Sequence, residues 1–299
     1  MRGPGHIISS RIALGAVIAC ATVAGFALLV RGMGGDVLAA AASPRWGWLA
    51  AALCVWAAVQ PLRAWAWAST LQRPVGFRSV YAASAVGSFL DTVLPWRLGE
   101  ASKVAVLKVA AGPRWPGFPR AGGSLLAMHL LEGLAFALVG AVATPFLPLP
   151  SWTRWTLAAC CVVGIVAVAV AARFKLALDR RAIAQAGGIL VATWGLRWAG
   201  VFLILHAVGV EVGLAGALLY MLVTGLANVA PLLPGNLGIY QGAAVGALAL
   251  VGEAGTNAVA ASLLAPAVVS AAAAGAALVA LALFGRRGFD LSRAALARP

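Results

Sequence analysis

A chain of 299 residues that is 63% hydrophobic and only 10% charged cannot cover a water-facing surface, because a soluble domain carries roughly a quarter charged residues. The net charge of +14 does not point to nucleic acid, since Lys and Arg sit in short clusters between apolar runs without polar elements carrying interleaved aromatics; cytoplasmic flanks held on an anionic inner surface account for it. Cys20, Cys54, Cys160 and Cys161 all lie inside apolar segments, so they read as small packing residues, and no disulfide framework, metal site or cofactor is expected.

In chain order, Arg2 and Arg11 precede an apolar run over 12–30. The run is followed by small residues near Leu38 to Ser43, as in a cleavable signal, but it exceeds the roughly 7–15 residues of a signal core. It is therefore assigned as a membrane helix. Further crossings are predicted at 46–71, 121–143, 155–173, 189–209 and 256–284, each near the roughly 20 residues needed to span about 30 Å of hydrocarbon. Two other apolar stretches are interrupted. Residues 79–111 contain Leu94-Pro95-Trp96-Arg97-Leu98-Gly99, and 213–250 contain Leu233-Pro234-Gly235-Asn236-Leu237-Gly238. Proline removes a backbone donor and glycine permits a sharp reversal, so each stretch is predicted to form two half-length helices joined by a break. The breaks are marked by Pro95, Gly99, Pro234, Gly235 and Gly238. The short basic stretch 173–187 reads as an interfacial amphipathic linker. Trp46, Trp48, Trp152 and Trp155, near helix ends, read as interfacial anchors.

Charge orients these elements. Arg73 and Arg78 precede the first broken stretch, and Lys103, Lys108, Arg114 and Arg120 follow its break, so both flanks belong in the cytoplasm. Glu211 and Glu253 flank the second stretch and belong outside. On this threading 16 of the 22 Lys/Arg are cytoplasmic, including the tail residues Arg286, Arg287, Arg293 and Arg298. The expected fold is an all-α polytopic membrane protein with six transmembrane helices and two re-entrant helical hairpins in an inverted 3+3 repeat. Residues 1–145 form a first repeat whose hairpin 79–111 enters from the cytoplasm. Residues 146–299 form a second, whose hairpin 213–250 enters from outside, ending in a basic tail. The breaks share Leu-Pro-x-x-Leu-Gly, and paired interruptions in inverted halves point to a midplane binding site.

Ionisable residues at membrane depth usually face a cavity or a partner. Here they are Arg63, Asp91, Arg97, Glu100, Glu132 and Arg197, with His129 and His206 as titratable neighbours. Arg97 lies just before the second half-helix, where a helix N-terminus and a planar guanidinium suit a phosphate. An internal Arg97–Asp91 or Arg97–Glu100 pair that pins the hairpin is the bland alternative. Glu100 and Lys103 share a helix face, as do His129 and Glu132, although Lys103 and Lys108 also have the reach to snorkel. A buried His129–Glu132 pair is expected rather than a metal site. Arg63 and Arg197 occupy equivalent helices of the two halves, and snorkelling to the cytoplasmic interface is an equal alternative for both. In the second hairpin Asn228, Asn236, Tyr240 and Gln241 offer a neutral polar lining.

At these motifs the chain resembles the lysylphosphatidylglycerol synthase/flippase transmembrane-region family, which includes hopanoid- and glycolipid-associated members. Its pattern Pro-x-Arg-x-Gly-Glu-x-x-basic is met by Pro95, Arg97, Gly99, Glu100 and Lys103, and its Pro-Gly-x-x-Gly by Pro234, Gly235 and Gly238. Gln241 stands where the family usually has Glu, and His129 where Arg commonly precedes the acidic position of Glu132. The soluble aminoacyl-transferase domain of the two-part synthases is absent, so no lipid-aminoacylating activity is expected. The resemblance implies a non-enzymatic, flippase-like protein of the bacterial inner membrane with both termini cytoplasmic. Its partner would be a phospholipid, hopanoid or polyprenyl-type lipid, bound by Asp91, Arg97, Glu100, Lys103, His129, Glu132, Arg197, Asn236, Tyr240 and Gln241. The rival readings are a secondary transporter of a small soluble solute and an accessory subunit partnered with a lipid-synthesis enzyme.

Overall fold

The computed structural model describes residues 43–71, 75–93, 98–147, 149–151, 154–156, 158–159, 161–166, 179–228 and 238–284, and these are helical or in connecting turns. In chain order the helices are α1 (Trp46–Thr70), α2 (Phe77–Val93), α3 (Leu98–Ala111), α4 (Phe118–Ala143), α5 (Arg180–Ala207), α6 (Leu214–Ala227), α7 (Ile239–Ala249) and α8 (Thr256–Phe284). Four of them, α1, α4, α5 and α8, are long and apolar enough to cross a membrane. They correspond to the predicted crossings at 46–71, 121–143, 189–209 and 256–284. The protein is a multi-pass helical membrane protein. The crossing predicted at 12–30, residues 94–97 and 233–237 of the two breaks, and the basic tail lie outside the described residues, and 155–173 is described only in part, as helical turns reaching Val166.

The linker expectation for 173–187 needs correcting over its second half. Arg180 to Gly187 form the first turns of α5, with Ala186 fully buried. The sequence Arg-Arg-Ala-Ile-Ala-Gln-Ala contains strong helix formers and no proline, so the helix nucleates early and continues into the membrane span.

Both interrupted stretches fold back on themselves. In the first, the Ser79 hydroxyl donates to the Ala110 carbonyl at 2.9 Å, tying the start of α2 to the end of α3. The arms meet through glycines: a Cβ on Gly87 would collide with the Lys103 stem, and one on Gly99 would collide with the Asp91 backbone and the Gly87 carbonyl. Small residues let helix backbones approach where lipid supplies no hydrophobic drive. In the second, α6 follows the end of α5 and α7 leads into the start of α8. Asn257 Nδ2 donates to the Gly209 carbonyl at 3.5 Å, so those two connections lie together.

The hairpins occupy opposite ends of the bundle. The Arg45 amide donates to the Ala207 carbonyl at 2.8 Å, so α1 and α5 run antiparallel. At one end, Trp67, Val80, Val106, Leu107, Ala121, Leu190 and Ala280 form a core around α2 and α3. At the other, Ala52, Ile204, Leu219, Tyr220, Leu248 and Ala261 form a second core around α6 and α7. The site lies between these two apolar masses.

Candidate functional site

Helix α4 carries the centre of the site. His129 and Glu132 lie one turn apart on its face, about 17 and 21 Å along the axis from Phe118 at 1.5 Å per residue, near the middle of the span. The Glu132 carboxylate is held between two guanidinium groups. Arg63 Nη2 from α1 donates to Oε2 at 3.0 Å, and Arg197 Nη2 from α5 donates to Oε1 at 2.7 Å. All three side chains are largely buried, at 16%, 12% and 13% exposure for Arg63, Glu132 and Arg197. Neither arginine reaches the interface, which overturns the snorkelling alternative: a desolvated carboxylate within reach stabilises each cation where the aliphatic stem alone would have to carry it to water. The Arg197 guanidinium also lies over the Trp194 ring, 4.4 Å from its centroid, a favourable placement for a partly desolvated cation.

The first hairpin joins this centre through α3. His129 Nε2 lies 2.8 Å from Glu100 Oε2, and His129 Nδ1 lies 3.5 Å from Glu132 Oε2. The Lys103 ammonium donates to Glu100 Oε1 at 2.5 Å. Lys103 is 1% exposed, so it is locked inside the hairpin rather than snorkelling. Asp91, on α2, accepts the Glu100 backbone N–H at 3.0 Å. It therefore caps the first turn of α3 from the facing arm, and a carboxylate of the chain already occupies one donor of the helix N-terminus expected to hold phosphate. Asp91, Glu100, Lys103, His129, Glu132 and Arg197 thus come together in one cluster, joined by Arg63.

Tyr240 and Gln241 of the second hairpin stay apart from this centre. The Tyr240 and Tyr220 hydroxyls lie 3.4 Å apart inside their own core. Gln241 is buried, and its Oε1 accepts the Gly238 N–H at 2.5 Å, folding back over the start of α7. Gly238 has φ 85°, a left-handed conformation that glycine adopts without strain. Gln241 is therefore a cap rather than a cavity-lining group, and an amide fills that role without charge. Among the described residues no hydrogen bond or ion pair links Tyr240 or Gln241 to the Glu132 centre. Pro95, Arg97, Pro234, Gly235 and Asn236 lie outside the described residues.

Sequence reasoning set Arg63 aside and missed Trp194. Trp194 Nε1 donates to the Glu132 backbone carbonyl at 3.3 Å, and its ring sits 4.7 Å from that of Phe136. Phe136 in turn packs against Gly225 of α6, where an added Cβ would come within 2.7 Å of the ring. Aromatic packing thereby connects the ion-pair centre to the second hairpin. The available signal was the shared need of Arg63 and Arg197 for a counter-charge, with Glu132 the one carboxylate on an unbroken crossing.

Chemically, the arrangement is a buried anion-and-cation layer at mid-depth. Arg63 Nε and Arg197 Nε are buried and have no hydrogen-bond partner among the described residues. No group of three or more His, Cys, Asp or Glu among the described residues has metal-holding geometry. A family model described as the lysylphosphatidylglycerol synthase TM region matches residues 12–181 and 171–271. No curated protein matches the chain.

Proposed function

The chain belongs to the lysylphosphatidylglycerol synthase transmembrane-region family, and on that premise we propose that it binds a lipid with a phosphate-containing headgroup at mid-depth and carries it between leaflets. One observation carries the reading. Two arginines from antiparallel helices converge on a single carboxylate and retain buried, unpartnered donor nitrogens. Guanidinium forks match phosphate oxygens. A phosphate entering beside Glu132 would take up that donor capacity while its acyl tails remain in the bilayer.

The membrane setting is a six-crossing bundle with two hairpins re-entering from opposite leaflets, in the inner membrane with both termini cytoplasmic. The paired hairpin ends and the antiparallel α1 and α5 support it. The proposed role is that of a carrier, and the engagement of Asp91, Glu100 and Glu132 with cations and a helix terminus supports it.

The test is reconstitution into liposomes with fluorescent phosphatidylglycerol, following loss of inner-leaflet protection from a membrane-impermeant quencher. The wild type should equilibrate the leaflets, and Arg97→Ala and Arg197→Lys should each slow it at least tenfold. Rates equal to protein-free liposomes for the wild type would end the reading; unchanged rates in a variant would remove that arginine from the path.

A further inference from the structure

His129 presents both ring nitrogens to carboxylate oxygens, Nε2 to Glu100 and Nδ1 to Glu132. A neutral imidazole carries one N–H and one lone pair, whereas an ionised carboxylate only accepts. A neutral ring would therefore set its lone pair against one of the two carboxylates. The imidazolium alone has a proton for each.

The surrounding charges give this proton a consequence. The charged groups facing His129 and its two carboxylates are Arg63 from α1, Asp91 from α2, Glu100 and Lys103 from α3, Glu132 from α4 and Arg197 from α5. Helices α6, α7 and α8 contain no charged residue. Three cations thus offset three carboxylates among the described residues, and protonating His129 adds one positive charge to that set. At mid-membrane an excess charge is costly, and a monoanionic phosphodiester would cancel it. His129 is also the most exposed member of the ion pairs, at 31%.

We propose that His129 is a proton-loading residue whose protonation is thermodynamically linked to binding of a monoanionic phosphodiester lipid in this layer. The inference rests on the lipid reading above and adds its coupling ion. Proton and headgroup each stabilise the other's bound state, and the coupling is reciprocal. The only bond formed is the N–H made when hydronium passes its proton to the imidazole lone pair and leaves water; the lipid arrives as the anion, and the proton returns to water when the lipid leaves. The sign is fixed by charge, so affinity for the anionic lipid rises as pH falls.

The test uses the full-length protein in phosphatidylcholine nanodiscs, titrated with short-chain phosphatidylglycerol between pH 5.5 and 8.5. The wild type should bind about fivefold or more tightly at the acid end, and proton uptake on binding, read from calorimetry in buffers of different ionisation heat, should appear toward pH 8.5, where the unliganded ring has begun to lose its second proton. His129→Gln should bind no more tightly than the wild type does at the alkaline end, should lose the acid-side gain in affinity, and should show no proton uptake. Nitrogen NMR of histidine-labelled protein should find His129 carrying both ring protons at neutral pH, which reports without any ligand. Affinity independent of pH in the wild type, an unaltered pH dependence in His129→Gln, or a neutral His129 ring at pH 6 would each overturn the proton link. Pointing instead at the lipid reading, failure of wild type to bind phosphatidylglycerol at any pH, or equal binding of the water-soluble glycerophosphoglycerol, would overturn that reading, while the NMR result still decides the protonation of His129.

Discussion

Glu132 serves two guanidinium groups with one carboxylate, so neutralising it leaves both arginines buried without a counter-charge. Removing one partner of a buried pair costs about 3–5 kcal/mol, and Glu132→Gln should lower the thermal midpoint in detergent accordingly. Replacing the whole triad with apolar residues of similar volume is a different experiment, because it also removes the desolvation cost. The combined Arg63→Met, Glu132→Leu, Arg197→Leu variant should recover most of the lost stability while failing in lipid translocation; recovered stability with full transport would show the triad to be scaffolding. The local pairs were legible in the sequence because i,i+3 spacing alone puts Glu100 beside Lys103 and His129 beside Glu132. The Arg63–Glu132–Arg197 triad was not. It depends on the rotation of three helices about their own axes, and helices apolar all round carry no stripe to set that rotation.

The broken elements were legible for a related reason. Proline and glycine act on the backbone whatever the tertiary context, so the division of 79–111 and 213–250 into half-helices follows from local chemistry. What holds each pair closed was hidden. Gly87 and Gly99 look ordinary among 35 glycines, and only the crossing of α2 over α3 makes them contact points. Gly99→Ala sets a Cβ against the backbone of the opposite arm and should cost about 1–3 kcal/mol as overpacking. Gly122→Ala, where an added Cβ meets nothing within 4 Å, should be neutral or mildly stabilising in the same thermal assay. In the second hairpin, Gln241→Ala removes the acceptor of the Gly238 amide. It should cost about 1 kcal/mol as a lost cap, measured by thermal unfolding, without altering headgroup selectivity. The extent of α5 was misjudged because charge marked Arg180 and Arg181 as linker, whereas two arginines at a helix start cost little beside the packing of Ala186 and Leu190 behind them.

Two apolar cores at opposite ends of the bundle, each built around one hairpin, make the arrangement of the whole molecule testable. In a background without Cys20, Cys54, Cys160 and Cys161, single cysteines at Glu211 and Ala254 should react with an impermeant maleimide from outside intact cells. A cysteine at Arg114 should react only after permeabilisation. Opposite sidedness for positions 211 and 254 would make the second stretch a crossing and undo the inverted arrangement. The sidedness expected here comes from the positive-inside pattern, because loop charge is a property of order along the chain. The antiparallel pairing of α1 with α5 needed the close approach at Gly200, where an added Cβ would come within 2.6 Å of Trp56 Nε1.

With backbone touching backbone at Gly87 and Gly99, nothing can slip between the two arms of the first hairpin. The pair is a stiff wedge, and on the proposed function a lipid would pass along its flank. Among the contacts described at that flank, His129 reaching Glu100 fastens the wedge to the long helices in the manner of a latch. Releasing it would loosen only the polar flank, because the core around α2 and α3 still seats the wedge against α1 and α8.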